Sequence, residues 1–209
     1  MSDITIIVPY YGPPAAYIPC LENSRELSDM AQLILVDDGC DTEPRRLGLK
    51  CAMLLVMRRP KVPWNIPACI NRAAEIAQGE YILILPADHV LPVDGLVALL
   101  AWIRADNGRS VGQLARDGLN PGCGILCIPT AHYLSIGGMD EQYCGHYGYG
   151  GNDLRRRLGL PIVTVPGVTL TYDMRGEVED GLLDRDPTIN RAKFDAGPRR
   201  LYMLRRCKE

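Results

Sequence analysis

No stretch of this chain approaches the ~18 consecutive apolar residues that a membrane-spanning helix needs, so no membrane partner is expected. Charge of one sign is lacking as well. Lys and Arg number 23 against 25 Asp and Glu, and a formal net charge of −2 gives no global pull toward nucleic acid or a lipid surface. The first segment, MSDITIIVPYYG, has neither a basic n-region nor a cleavable apolar stretch. The expected setting is therefore cytoplasmic, with the eight cysteines as reduced thiols. Cys123 and Cys127 have no second pair and no adjacent histidine, which argues against a structural zinc site. Internal repeats and low-complexity tracts are absent too, which removes solenoids and disordered tails from consideration.

What is present is enough for one well-buried domain: 209 residues, 47% hydrophobic and 23% charged. Residues 4–9, ITIIVP, and 33–36, LILV, are continuous apolar runs of the kind that form strands covered on both faces. A helix over about 16–30 supplies the right-handed crossover between them. Residues 53–57 and 81–85 predict two further strands, with a helix over 67–78 closed by Gly79 between them. Another helix follows over 96–104. The stretch 107–124 reads as a polar, glycine-rich connector. After it come a short apolar run at 125–129 and strand candidates at 162–165 and 168–172. The expected organisation is a nucleotide-binding half over 1–106, a connector over 107–123, and an acceptor half with a basic tail over 124–209.

In an open α/β sheet, ligands bind outside the carboxyl ends of the strands. Here those ends carry Pro9, Tyr10 and Tyr11, then Asp37 and Asp38, Arg58 and Arg59, and Asp88 with His89. Carboxylates, arginines and a histidine so aligned favour an enzyme. The second concentration of chemistry is Gly137–Leu158, GGMDEQYCGHYGYGGNDLRRRL. Glycines at 145, 148, 150 and 151 permit unusual backbone conformations, and Asn152 and Asp153 are helix-capping types ahead of LRRRL. An open loop that delivers the Asp153 carboxylate to a cavity is expected, against the plainer reading of a glycine-rich turn before an amphipathic helix. Arginines 155–157 read as solvated helix residues, and Tyr143, Tyr147, Tyr149 and Trp64 as candidates to stack on a sugar or base.

IIVPYYG, LVDDG, the Asn71-containing helix and GEYILILPADHVLP together resemble the nucleotide-sugar half of a family 2 GT-A glycosyltransferase. GGMDE, GYGGND, TYDMRG and PTINRAKFD are similar to the C-terminal part of β-1,4-galactosyltransferases. The resemblance implies a GT-A fold: α/β, a mostly parallel Rossmann-like sheet flanked by helices, in a single domain. It implies a donor site of Pro9, Tyr10, Asp37, Asp38, Arg59, Asn71, Ala87 and Asp88, with Arg58 and Arg59 as diphosphate partners. The family's DXD triplet corresponds to Pro86-Ala87-Asp88, which lacks the first carboxylate. Mn²⁺ or Mg²⁺ is implied as cofactor, held by Asp88, Asp173 and His89, where Asp173-Met174-Arg175 stands for the family's His-x-Arg. The family's Glu-Asp pair becomes Asn152-Asp153, which makes Asp153 the implied catalytic base. Tyr149, Gly150, Gly151, Asn152, His146 and Arg175 would support the acceptor.

The function implied is a metal-dependent inverting glycosyltransferase that uses a nucleotide-sugar donor, expected to be UDP-linked. The acceptor would be a glycan, a small molecule or modified DNA, with no obligate protein partner evident. PWN, Asn71, ADHVLP, GHYG and the RRR that follows also resemble a compact group of GT-A-like proteins encoded by bacterial viruses, so the cytoplasm of a bacterium or a phage-infected host is the implied location. One alternative keeps the scaffold and modifies hydroxymethylated bases in phage DNA, which the basic stretch from Arg191 to Lys208 would suit. Another is a catalytically inactive nucleotide- or glycan-binding module, favoured by Pro86 and Asn152.

Overall fold

Alternation along the first strand sets the architecture. In the computed structural model, which describes residues 3–11, 18–38, 53–56, 65–117, 125–172 and 186–198, β1 (Ile4–Tyr10) is buried at every position. Ile4, Ile6, Val8 and Tyr10 enter one core, and Ile7 enters a second on the opposite face. A strand with a period of two and no polar face needs helices on both sides.

The first core is completed by Leu27 of α1 (Ile18–Leu27) and by Leu96, Leu99 and Ile103 of α3 (Val93–Asp106), which recur at helical spacing. The second is filled by Ile70, Ala73 and Ala74 of α2 (Ile66–Glu75), Tyr133 of α4 (Thr130–Ser135), and Leu154 and Leu158 of α5 (Gly150–Leu158). Between these layers lie β2 (Gln32–Asp37), β3 (Met53–Val56), β4 (Tyr81–Ile84), β5 (His89–Val90), β6 (Val111–Arg116), β7 (Leu126–Pro129) and β8 (Ile162–Tyr172). A last helix, α6 (Thr188–Asp195), follows.

The strand order is β3-β2-β1-β4-β7-β6-β8-β5. β3, β2, β1 and β4 are mutually parallel, whereas β7 is antiparallel to both β4 and β6. β6 and β8 are parallel, and β5 pairs antiparallel with β8. The sheet is thus mixed, with the parallel pairings in the majority as expected. Because β7 is antiparallel to both its neighbours, β6 runs in the same sense as β4. The carboxyl ends of β1, β2, β4, β6 and β8 therefore share one edge.

The expected connector is corrected here, because residues 111–116 form a strand inside the sheet. Its glycine misleads. A Cβ on Gly112 would come within 2.7 Å of Val165 Cγ2 and 2.9 Å of the Trp102 ring, so the residue is a packing glycine rather than a loop signal. The candidates at 162–165 and 168–172 are likewise one strand. Gln113 pairs with Thr164 but Ala115 with Thr169, so β8 bulges around Pro166 and Gly167 and then resumes its pairing.

Candidate active site

At the carboxyl end of β1, Pro9 pairs with Val36 and Tyr10 with Asp37. Tyr10, Asp37 and Asp38 are all buried. The Asp38 N–H donates to the Tyr10 carbonyl at 3.1 Å, which carries the strand register one residue past β2. Its carboxylate Oδ2 accepts the Asn65 N–H at 2.5 Å. Asn65 is the N-cap of α2, and its own Oδ1 accepts the Ala68 N–H at 3.0 Å. Asp38 thus stands at a helix N-terminus, where the peptide dipoles favour a negative charge. The two acids are fixed wall elements rather than mobile surface groups.

The turn after β4 brings Asp88 and His89 to the same edge. The Asp88 side chain is 37% exposed and that of His89 is 5% exposed, with Asp88 Oδ1 and His89 Nδ1 2.5 Å apart. Across the ring, His89 Nε2 faces Arg116 at 3.4 Å. A proton on Nδ1 and a lone pair on Nε2 satisfy both contacts at once. The imidazole also packs on Tyr172 with centroids 5.2 Å apart, opposite which it sits in the β5–β8 pairing. Arg116 lies over the same ring, its Cζ 4.6 Å from the centroid.

This arrangement differs from the expected ligand role of His89. Both ring nitrogens are engaged and the ring is buried, so His89 contacts Asp88 and Arg116 instead of facing a metal ion. Among the described residues no group of three or more His, Cys, Asp or Glu side chains is arranged to hold a metal ion. The carboxylate of Asp88 fits as one ligand of a hard cation that also takes phosphate oxygens and water. Asp173, Arg58, Arg59, Arg175 and Trp64 lie outside the described residues.

The glycine-rich segment is more tightly built than expected. Gly145 and Gly148 have φ of 72° and 80°, and Tyr149 is itself left-handed at φ 62°. A tyrosine in that region carries a backbone cost of about 1–2 kcal/mol, which its surroundings must offset. Gly150 and Gly151 open α5 instead of forming the loop, and Asn152 is exposed in its first turn.

Asp153 is the principal correction. It is not presented by an open loop: it is 2% exposed, with Oδ1 accepting from Arg156 Nη2 at 2.9 Å and Oδ2 from Arg157 Nε at 2.7 Å. Arg157 also reaches the Ile136 carbonyl at 3.2 Å, which ties α5 to the end of α4. The arginines expected to be solvated are therefore tied into the fold, although Arg156 is exposed, and Arg155 too donates to Gln113 Oε1 of β6 at 2.7 Å.

From outside, α6 grips the same segment. Asn190 is fully buried, and its Nδ2 donates to the carbonyls of His146 at 2.8 Å and Gly148 at 3.1 Å. Lys193 donates to the Gln142 carbonyl at 2.5 Å. Phe194 packs on Tyr149 with centroids 5.5 Å apart, and Arg156 lies 4.0 Å over the Phe194 ring while donating to its carbonyl at 2.8 Å. Arg156 is therefore shared between Asp153 and the last turn of α6.

Asn71, expected at the donor, is spent inside the protein. Nδ2 donates to the Met139 carbonyl at 2.9 Å and Glu141 Oε1 at 3.0 Å, while Oδ1 accepts from Tyr133 Oη at 2.6 Å and the Met139 N–H at 2.9 Å. All four hydrogen-bonding positions of the amide are filled. Burial raises the Tyr133 hydroxyl well above its ordinary pKa. This hub fixes the start of the glycine-rich segment to α2 and α4. Sequence reasoning missed Arg116, Asn190 and Phe194. For Arg116 a signal existed, since VGQLAR has apolar Val111 and Leu114 before a terminal arginine.

The structure is similar to that of S. aureus TarS 1-349 in complex with UDP-GlcNAc, with a TM-score of 0.69 at 13% identity over 85% of this chain and 60% of that one. It is also similar to the mannosyltransferase PcManGT from Pyrobaculum calidifontis in complex with GDP-Man and Mn²⁺, at TM-score 0.65 and 18% identity, over 85% of this chain and 58% of that one. These likenesses show the GT-A fold. Among curated proteins, the uncharacterized protein y4gI of Sinorhizobium fredii is 28% identical over 151 residues, which are 69% of this chain and 16% of that protein. The chain thus spans less than two thirds of the length of these relatives. Residues 5–122, which run from β1 through β6 and carry Tyr10, Asp37, Asp38 and Asp88, match the family Glycosyl transferase family 2, and the chain belongs to that family.

Proposed function

We propose that this protein is a glycosyltransferase that moves a sugar from a nucleoside-diphosphate donor to an acceptor hydroxyl. The observation that carries the reading is the shared carboxyl edge, where the buried pair Asp37 and Asp38 stands beside Tyr10 and the half-exposed Asp88. Acids fixed at strand ends suit a nucleoside, whose ribose hydroxyls donate hydrogen bonds. A UDP-linked donor is the finer proposal, supported by the UDP-GlcNAc and UDP complexes of TarS; the GDP-Man complex of the mannosyltransferase keeps guanine in the test.

Asp88, together with Asp173, would hold Mn²⁺ or Mg²⁺ at the diphosphate, where a cation neutralises the charge of the departing group. Opposite it, the acceptor side is formed by His146, Tyr149 and α5. Asp153 is the proposed base for an inverting transfer. It would accept the proton through lone pairs that its arginines leave, since each carboxylate oxygen has two and one is engaged. A second reading, a binding module without turnover, is favoured by the 2% exposure of Asp153 and by Asn152 and Pro86 in place of acids. The DNA-modifying alternative rests on the basic tail, of which 199–209 lie outside the described residues.

The test is release of nucleoside diphosphate from a panel of UDP-, GDP- and dTDP-sugars with Mn²⁺, with and without simple glycan acceptors. Acceptor-stimulated release from one donor supports transfer. Donor binding without release from any of them supports the module.

A further inference from the structure

Among the described residues of the rim, Arg116 is a cation that the proposed reaction has not used. It ends β6 on the carboxyl edge and is partly buried, and its Nε is buried with no hydrogen-bond partner among the described residues. Its neighbours are the face of Tyr172 at 4.6 Å and the Nε2 of His89 at 3.4 Å. No carboxylate lies within ion-pair distance of it among the described residues.

A guanidinium withdrawn from water without an acid beside it is costly, and proteins rarely keep one without an anion to receive. The other arginines of this region differ. Arg156 and Arg157 are matched by Asp153, and Arg155 by Gln113. Arg116 is also oriented, since a ring face and an imidazole fix the plane of the guanidinium, and a fixed fork matches phosphate oxygens in two places. Through His89 it is one imidazole away from Asp88.

We infer that Arg116 is the protein's own cation for the diphosphate of the donor, standing on β6 across His89 from Asp88. The inference rests on the donor reading above and deepens it. Pro86 occupies the position of the family's first acid, so one carboxylate fewer is present to hold a metal at this turn. Arg116 supplies positive charge to the same group without a metal. His89 is the positioning residue, which spaces the carboxylate and the guanidinium on either side of its ring.

The experiment is calorimetric titration of the wild type and Arg116→Gln with UDP, GDP, the matching nucleosides and inorganic pyrophosphate, each with Mn²⁺ and with EDTA. The expected result is a loss of roughly ten- to hundredfold in nucleoside-diphosphate affinity, the size of a charge-assisted hydrogen-bond pair. That loss should appear in both metal conditions, with nucleoside affinity unchanged. Arg116→Lys should recover part of it. The melting temperature of the free Arg116→Gln variant should match or exceed the wild type, because an unpaired charge has been removed; a structural role would lower it instead. Equal diphosphate affinity in Arg116→Gln, or an equal loss for nucleoside and diphosphate, overturns the inference. Should the wild type ignore every nucleotide yet bind pyrophosphate through Arg116, the donor reading falls and the anion site stands. Binding of neither removes both.

Discussion

Tyr10, Asp37 and Asp38 reach the rim on the ends of adjacent parallel strands, each fixed by the ladder next to it. Asp153 and the segment 146–148 reach the other side differently, held by side chains from α5 and α6. One side is backbone geometry; the other is a network of side-chain clasps. Strand ends cannot move without breaking the sheet, so the strand-end rim should tolerate point changes in its neighbours. The clasped side should not, because single residues there hold several groups at once.

The largest effect is expected at Asp153. Asp153→Ala leaves Arg157, whose side chain is 8% exposed, as an uncompensated buried charge. Loss of one partner of such a pair costs about 3–5 kcal/mol, to be read as a lowered midpoint in urea unfolding. A midpoint equal to the wild type would mean that the ion pairs do not hold α5, and would return Asp153 to a purely chemical role.

Asn190→Ala should cost less, about 1–3 kcal/mol, since it strips the donor from buried carbonyls without stranding a charge. Its signature is local. Hydrogen exchange should quicken across 143–150 while β1 and β2 keep their protection, and nucleotide binding should be unchanged. Equal loosening of both sides would abolish the contrast between them.

The smallest effect concerns pH. Burial holds the Tyr133 hydroxyl above its ordinary value of 10.0. A group whose folded pKa is raised contributes stability that is complete below the unfolded pKa and is lost as pH rises through the folded one. Stability should therefore decline above about pH 10. Tyr133→Phe should flatten that alkaline limb at a cost of about 1 kcal/mol near neutrality, because Asn71 Oδ1 loses one of its two donors. An unchanged alkaline limb would show that Tyr133 does not contribute to it.

The same contrast explains what the sequence made legible. β1, β2 and β4 are apolar runs closed by Pro, Asp or Gly signals, so local pattern sufficed to find them and the acids at their ends. β6 escaped because Gly112 exists for the sake of Trp102 and Val165, which are distant in sequence. Arg116 escaped with it. The RRR of α5 looked like a solvated face, yet its partners are Gln113, Asp153 and Phe194, and only folding brings the first and last of these to it. The resemblance puts Asn71 at the donor, and nothing local in the helix shows that a loop 68 residues later consumes its amide. Side-chain clasps leave no period in a sequence, and strand ends do.

The central claim is that the carboxyl edge of the sheet is a nucleoside-diphosphate site. Thermal melting of the wild type with UDP, GDP and dTDP, each with and without Mn²⁺, addresses it most directly, because a ligand that binds only the folded state raises the midpoint by mass action. The account predicts a concentration-dependent rise with at least one nucleoside diphosphate, and a smaller rise with the corresponding nucleoside. A midpoint unmoved by all three at millimolar concentration would contradict it.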